Sequence, residues 1–252
     1  MPTFLATSAT GCQGGSTACL LLAQGAKSLG ATLFKGDFDD VPTITGIFLN
    51  PFPNFFTDPA SEARTTETFV AAVRAAGTAA SIVLSTIYGA NRYADWDAAL
   101  RPAFPLLVHT TFRSTWRRVL TVSCPRGFRL DHLDAVDVGQ FAAAALLDPA
   151  RFAGTEIELV GERLTLDEVA AHLAAAVGAE VTVRYHTEEE TAEVRKTLPT
   201  VETQIWAPTV ERLEDTAELA RYGFRLTTFK EFFGAEERRE KDGGNRGLGR
   251  DL

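Results

Sequence analysis

Thr3-Phe4-Leu5-Ala6, followed by Thr7-Ser8-Ala9-Thr10-Gly11-Cys12-Gln13-Gly14-Gly15, is the stretch on which the reading of the fold turns. A short apolar run enters a turn rich in hydroxyls and glycines. An apolar helical pattern then runs from about Ser16 to Gln24 and stops at Gly25. Strand, glycine turn and helix in that order open a dinucleotide-binding unit, because a helix N-terminus with free N–H groups suits a pyrophosphate and glycines let it come close.

Working outward, Ala31–Phe34 and Gly46–Leu49 read as strands, and Asn50–Thr57 as an irregular aromatic and proline-rich loop. Asp58-Pro59 starts a helix expected to reach Ala76, with Ser81–Ser85 a strand after it. Further strands are expected at Arg117–Ser123, Thr155–Val160 and Val181–Tyr185, and an alanine-rich helix at Asp134–Leu147. Thr165-Leu166-Asp167-Glu168 and Thr187-Glu188-Glu189-Glu190 are capping boxes, a Thr followed three residues on by Glu. Helical pattern resumes over Thr209–Tyr222 and Thr228–Glu237, and Glu240–Leu252 is rich in glycine and charge. Alternating strands and helices predict an α/β fold, a mostly parallel sheet with helices on both faces followed by a smaller mixed α/β region. The expected division is a dinucleotide-binding part over 1–150, a C-terminal cap region over 151–238 and a tail over 239–252.

The 252 residues carry 25 basic and 33 acidic side chains, a formal charge of −8 that argues against binding along a nucleic-acid backbone. The longest apolar runs, Ala18–Ala23 and Phe141–Leu147, fall far short of the roughly 20 residues of a membrane helix. Three cysteines without a CxxC pair, and four scattered histidines, predict free thiols, a cytoplasmic setting and no metal site. His132 beside Asp131 and Asp134 imitates a charge relay, with no GxSxG nucleophile to complete it.

Within the turn, Gly11 and Gly14 occupy the second and third positions of GxxGxxG, while Ser8 stands at the first. Glycine there allows a tight turn, so the serine is expected to adopt a strained backbone. Asp37 follows Gly14 by 23 positions, at the end of an apolar strand, where an acidic side chain can hold the ribose 2′-hydroxyl.

The strings ATGCQGG (9–15) and GATLFKGDFDD (30–40) resemble the NmrA-like family, atypical short-chain dehydrogenase/reductases. LRPAF (100–104), the stretch from Asp134 to Leu173, and GAEVTVRY (178–185) extend the resemblance over about residues 3–185, with 134–185 the most family-specific part. It implies a Rossmann-like domain that binds NAD or NADP. Thr10, Gly11, Gln13 and Gly14 would form the phosphate-binding turn, with Cys12 inside it, and Asp37 and Phe38 would lie near the adenine. On spacing alone Asp37 holds the ribose and favours NAD; both placements stand at this point. Only Ala26–Gly30 fill the interval in which the family has a further strand and an arginine for the 2′-phosphate. Residues 36–46 and 91–101 are shortened as well.

Catalytic candidates are sparse. Reductases of the wider group use a Tyr with a Lys four residues on, whereas Tyr88 is followed by Arg92, and arginine does not give up its proton. No lysine occurs between Lys35 and Lys196, so the lysine that the resemblance implies beyond the fifth strand is missing. Phe52, with Phe55 and Phe56, can line an apolar substrate pocket, and Ser85 or Thr86 can bond a substrate or the nicotinamide ribose. The sequence therefore supports an NAD(P)-dependent oxidoreductase acting on a small, apolar organic substrate. Its alternatives are a non-catalytic redox sensor with a regulatory protein partner, or a degenerate remnant of a reductase.

Overall fold

The computed structural model describes residues 4–8, 11–23, 44–50, 61–77, 79–85, 119–198, 201–209 and 219–233. Two compact units result, one of Met1–Leu106 with Ala135–Ile157, the other of Leu107–Asp134 with Glu158–Leu252.

In the first unit, β1 (Phe4–Ala6), β2 (Gly46–Leu49) and β3 (Ser81–Leu84) form a parallel sheet in that order. Its register puts Leu5, Ile47 and Ile82 side by side, and the period of two sends them all to one face. There they meet Phe69, Val70 and Val73 of α2 (Ser61–Ala76), whose spacing of one, then three, residues makes one helical stripe. The opposite face carries Gly46, where a β-carbon would lie 3.0 Å from Leu146 Cδ2, a side chain of α3 (Ala135–Leu147). That helix in turn crosses α1 (Cys12–Ala23) at Gly139, so closely that a β-carbon there would come within 2.8 Å of Ser16 Cβ. Helices thus cover both faces of a parallel sheet, the arrangement expected from the alternation of elements. β2 is buried at all four positions, which is why GIFL reads as an unbroken apolar run. A single turn, α4 (Pro149–Phe152), follows with Asp148 as its N-cap.

The second unit is mixed, with one parallel and one antiparallel strand pair among its described residues. β4 (Val119–Val122) pairs in parallel with β7 (Thr182–Tyr185), and β5 (Arg129–His132) pairs antiparallel with β6 (Glu162–Thr165). Leu120, Cys124, Leu164, Leu166, Val169 and Ala170 form its core. Both expected capping boxes exist. Thr165 caps α5 (Leu166–Val177) and Thr187 caps α6 (Glu188–Arg195), each accepting from the N–H three residues on while the glutamate accepts from the Thr N–H. α5 ends at Gly178 with φ 65°, the left-handed conformation that glycine adopts without a β-carbon clash. α7 (Val201–Trp206) follows, with short helical segments after it.

Two expectations change. Thr155–Val160 is not a strand: it has no ladder partner among the described residues, and the strand is Glu162–Thr165, paired with Arg129–His132. Val160 is buried without belonging to a strand, and its burial imitates a strand's apolar pattern there. α1 also begins at Cys12, four residues before its apolar stripe becomes visible.

Candidate functional site

The C-terminal ends of β1, β2 and β3 come together where open α/β sheets place their ligands. The β1–α1 turn builds this edge. Thr7 N–H donates to the Phe48 carbonyl at 3.0 Å, and the Thr7 hydroxyl oxygen accepts from Asn50 N–H at 2.8 Å. The Ser8 hydroxyl donates to the Asn50 carbonyl at 3.0 Å. These bonds tie the start of the turn to the end of β2.

Ser8 has φ 52°, and it is the one non-glycine residue with positive φ among those described. The expected strain is therefore present at the position where GxxGxxG carries its first glycine. Holding an L-residue in this region costs roughly 1–2 kcal/mol. The turn then closes by Gly11 N–H to the Ser8 carbonyl at 2.8 Å, and Gly15 N–H to the Gly11 carbonyl at 2.9 Å starts the helical ladder. Helix geometry leaves the N–H groups of Cys12, Gln13 and Gly14 without an intrahelical acceptor, and the partial positive charge of the helix end adds to them. No acidic side chain occupies the first turn of α1 to compete for these groups.

Gly14 has a steric task. A β-carbon there would lie 2.4 Å from the Thr7 carbonyl oxygen and 2.5 Å from that of Ser8, so only glycine lets α1 pack against the turn. At Gly11 the nearest approach would be 3.3 Å, tight but tolerable with a small shift.

Ser85, at the end of β3, donates its hydroxyl to Gln13 Oε1 at 2.8 Å, and its N–H donates to the Leu49 carbonyl. Gln13 and Ser85, read as separate cofactor and substrate candidates, are therefore bonded to each other. Sequence spacing could not reveal this pairing across 72 positions. Gly11, Cys12, Gln13, Gly14 and Ser85 share the edge; Thr10, Asp37, Phe38, Phe52, Tyr88 and the shortened intervals at 26–30 and 91–101 lie outside the described residues, as does nearly all of that at 36–46. Cys12, Cys19 and Cys124 are free thiols, Cys124 buried, and burial pushes its thiol up.

Polar chemistry in the second unit is organised differently. Ser123 Oγ and His186 Nδ1 are 2.9 Å apart just beyond the ends of β4 and β7, and Gln204 Oε1 accepts from Ser123 N–H at 2.7 Å. Sequence reading missed this cluster, whose members lie on three separate segments. The imitation relay at His132 dissolves: Asp131 accepts from Arg163 Nε at 2.8 Å, and the His132 ring meets Phe229 edge-on at 5.1 Å. Burial holds the His132 imidazole below its ordinary value, against the opposing pull of Asp131 and Glu162. Among the described residues no cluster of three metal-ligating side chains occurs, and no helix is long and apolar enough to cross a membrane.

The model of the NmrA-like family matches residues 105–218, a range that contains the stretch 134–185. No curated protein matches the chain significantly. Among solved structures, the triphenylmethane reductase of Citrobacter sp. is similar with 19% identity and a TM-score of 0.63, over 94% of this chain and 99% of that one. NmrA, a negative transcriptional regulator crystallised with NAD, is similar with 17% identity and a TM-score of 0.62, over 97% and 98%. A nucleoside-diphosphate-sugar epimerase from Staphylococcus aureus has 15% identity and a TM-score of 0.63, over 92% and 99%. Such identities establish a shared fold. Residues 105–218 match the model of the NmrA-like family, and the fold of the chain is similar to that of these solved neighbours.

Proposed function

We propose that this chain binds NAD or NADP across the β1–α1 turn, with the pyrophosphate at the N–H groups of Cys12, Gln13 and Gly14. The observation that carries the reading is the turn itself. A glycine-packed helix N-terminus, free of acidic side chains, opens at the C-terminal edge of a parallel sheet. Thr10, Asp37 and Phe38 complete the dinucleotide site in this proposal, and residues 1–150 carry it. The reductase and the regulator that share its fold were crystallised with NADP(H) and with NAD, which supports the cofactor class. When bound, the nicotinamide supplies hydride chemistry; the chain's own residues bind and orient it. The nominal activity is hydride transfer involving a small organic substrate, with Phe52 on the substrate side and Tyr88 as the acid candidate.

A specific observation favours the second reading, a non-catalytic dinucleotide sensor that regulates a cytoplasmic partner. No lysine lies between Lys35 and Lys196, and the Ser85 hydroxyl proton is committed to Gln13. A positioned general acid is worth about 10²–10⁴-fold in rate. Calorimetric titration of the full chain with NAD⁺ and NADP⁺ tests the common core of both readings, and absence of heat with either at millimolar concentration overturns it. Oxidation of NADPH by carbonyl, enone or triphenylmethane acceptors then separates them. Robust turnover restores the enzyme, while binding without turnover supports the sensor.

A further inference from the structure

The bond between Ser85 and Gln13 has a geometry that the dinucleotide reading does not require. In the order β1, β2, β3, neighbouring strands lie about 4.8 Å apart, so the ends of β1 and β3 are separated by roughly 10 Å. Gln13 starts on the β1 side, in the first turn of α1, and meets Ser85 on the β3 side at 2.8 Å. Its side chain therefore reaches from the helix that follows β1 to the residue that follows β3. The Gln13 backbone is held too, since its carbonyl accepts from the Thr17 hydroxyl at 2.9 Å.

A carboxamide has one acceptor end and one donor end. Ser85 occupies Oε1, which turns the two N–H donors of Nε2 away from β3, and no described residue accepts from them. Without the Ser85 hydroxyl the amide could rotate about its last torsion, and donor and acceptor would exchange places.

We propose that Ser85 is a positioning residue that acts through Gln13, fixing the Gln13 carboxamide as a donor to the nicotinamide half of a dinucleotide. The inference rests on the dinucleotide reading above. With the diphosphate at the N-terminus of α1 and Asp37 and Phe38 assigned to the adenosine half, the other mononucleotide extends over the ends of β2 and β3. That is the ground the Gln13 side chain covers. Its acceptors are the ribose hydroxyls and the carboxamide oxygen of the nicotinamide. Ser85 itself touches no ligand in this scheme.

The test compares NAD⁺ with ADP-ribose, which keeps the adenosine half and the diphosphate but lacks the nicotinamide. Full-length wild type, Ser85→Ala, Ser85→Thr and Gln13→Leu are titrated calorimetrically, with thermal melts to show that each folds. Ser85→Ala and Gln13→Leu should weaken NAD⁺ about three- to tenfold, the worth of one ordinary hydrogen bond, and leave ADP-ribose within about twofold. Ser85→Thr keeps the hydroxyl and should restore most of the NAD⁺ affinity. Equal loss of both ligands would assign Ser85 a structural role in the turn and overturn the inference. So would an unchanged NAD⁺ affinity in Ser85→Ala or, if that variant does not fold, in Gln13→Leu. If wild type binds neither ligand, the dinucleotide reading fails and takes this inference with it; if it binds NAD⁺ and the variants show no selective loss, only the inference fails.

Discussion

The β1–α1 turn and the capped helices of the second unit solve the same problem in opposite ways. Each must satisfy the orphan N–H groups at a helix start. Thr165 and Thr187 do so from extended backbone, φ −71° in both, with a hydroxyl and a returning glutamate. Local preference and final structure agree, and the helix ends are closed to ligands. At α1 the first turn has no such side chain, the residue leading into it sits at φ 52°, and the helix packs so near that only hydrogen fits at Gly14. Strained backbone persists where its surroundings over-determine it, here through the bonds of Thr7 and Ser8 to the end of β2. A helix start that breaks local rules is held in place by contacts from the rest of the fold; one that obeys them is held by its own residues.

Gly14→Val is the harshest way to break this contrast. Its branched β-carbon must enter space held by two backbone carbonyls, and backbone yields less readily than a side chain. The expected loss is about 3 kcal/mol or more, the upper range of overpacking, measured as a shift in denaturant midpoint. A midpoint close to wild type would show that α1 does not need this close approach. Loss of dinucleotide binding in this variant would follow from the displaced turn, not from a side chain blocking the pyrophosphate, because the β-carbon points at Thr7 and Ser8.

Thr165→Ala removes a cap whose hydroxyl accepts from Glu168 N–H at 3.2 Å and whose N–H donates to Glu168 Oε2 at 2.7 Å. About 1 kcal/mol of stability should go with it, and dinucleotide affinity should not change. A change in affinity would mean that the caps of the second unit share in binding after all.

Acid probes the capping glutamates without mutation. Glu231 is held down to about 2, first by the Thr228 N–H, then by the Arg225 side chain, against an ordinary value of 4.5. Glu168 and Glu190 are lowered first by the N–H groups of Thr165 and Thr187. A carboxylate with a depressed folded value stabilises the protein above its unfolded value, and that contribution is lost as pH falls toward the folded one. The caps should therefore weaken below about pH 4.5, and for Glu231 the loss should run down to about pH 2. Carboxyl carbon shifts followed by NMR check this: Thr228→Ala keeps the backbone N–H and removes the hydroxyl that donates to Glu231 Oε2 at 2.8 Å, so the Glu231 midpoint should rise only partway, and an unmoved midpoint would discount the hydroxyl's share.

Legibility followed the same divide. Capping boxes are local, so Thr165 to Glu168 and Thr187 to Glu190 could be read from four letters each. The box at Thr228-Phe229-Lys230-Glu231 has the same signature, but sequence reading gave only a helical pattern there; Thr228 N–H donates to Glu231 Oε2 at 3.0 Å, with helix over 229–233. The glycine turn and its strained Ser8 were equally plain, because a backbone rule is written in residue type. Long-range pairing was not. Nothing in Ser85 or Gln13 says that they meet, and nothing in Ser123, His186 and Gln204 says that strand ends and a short helix bring them together. The strand expected at Thr155–Val160 failed for the same reason: an apolar pattern marks burial, but a strand also needs a partner, and Arg129–His132 pairs with Glu162–Thr165.

Ser8→Gly should have the smallest effect, and its size separates strain from purpose. Glycine adopts φ 52° freely, which relieves roughly 1–2 kcal/mol. Against this, the Ser8 hydroxyl bond to the Asn50 carbonyl is lost, about 0.5–1.5 kcal/mol. A more flexible unfolded chain subtracts about another 0.4–1 kcal/mol. These terms nearly cancel, so the melting temperature should stay within a few degrees of wild type. Binding should respond differently. Removing the tether from the turn to the end of β2 frees the first helical N–H groups to shift, and a less ordered site binds more weakly. If Ser8→Gly instead tightened NAD⁺ while stability held, the serine would be a defect in the turn, tolerated because Thr7 alone anchors it well enough.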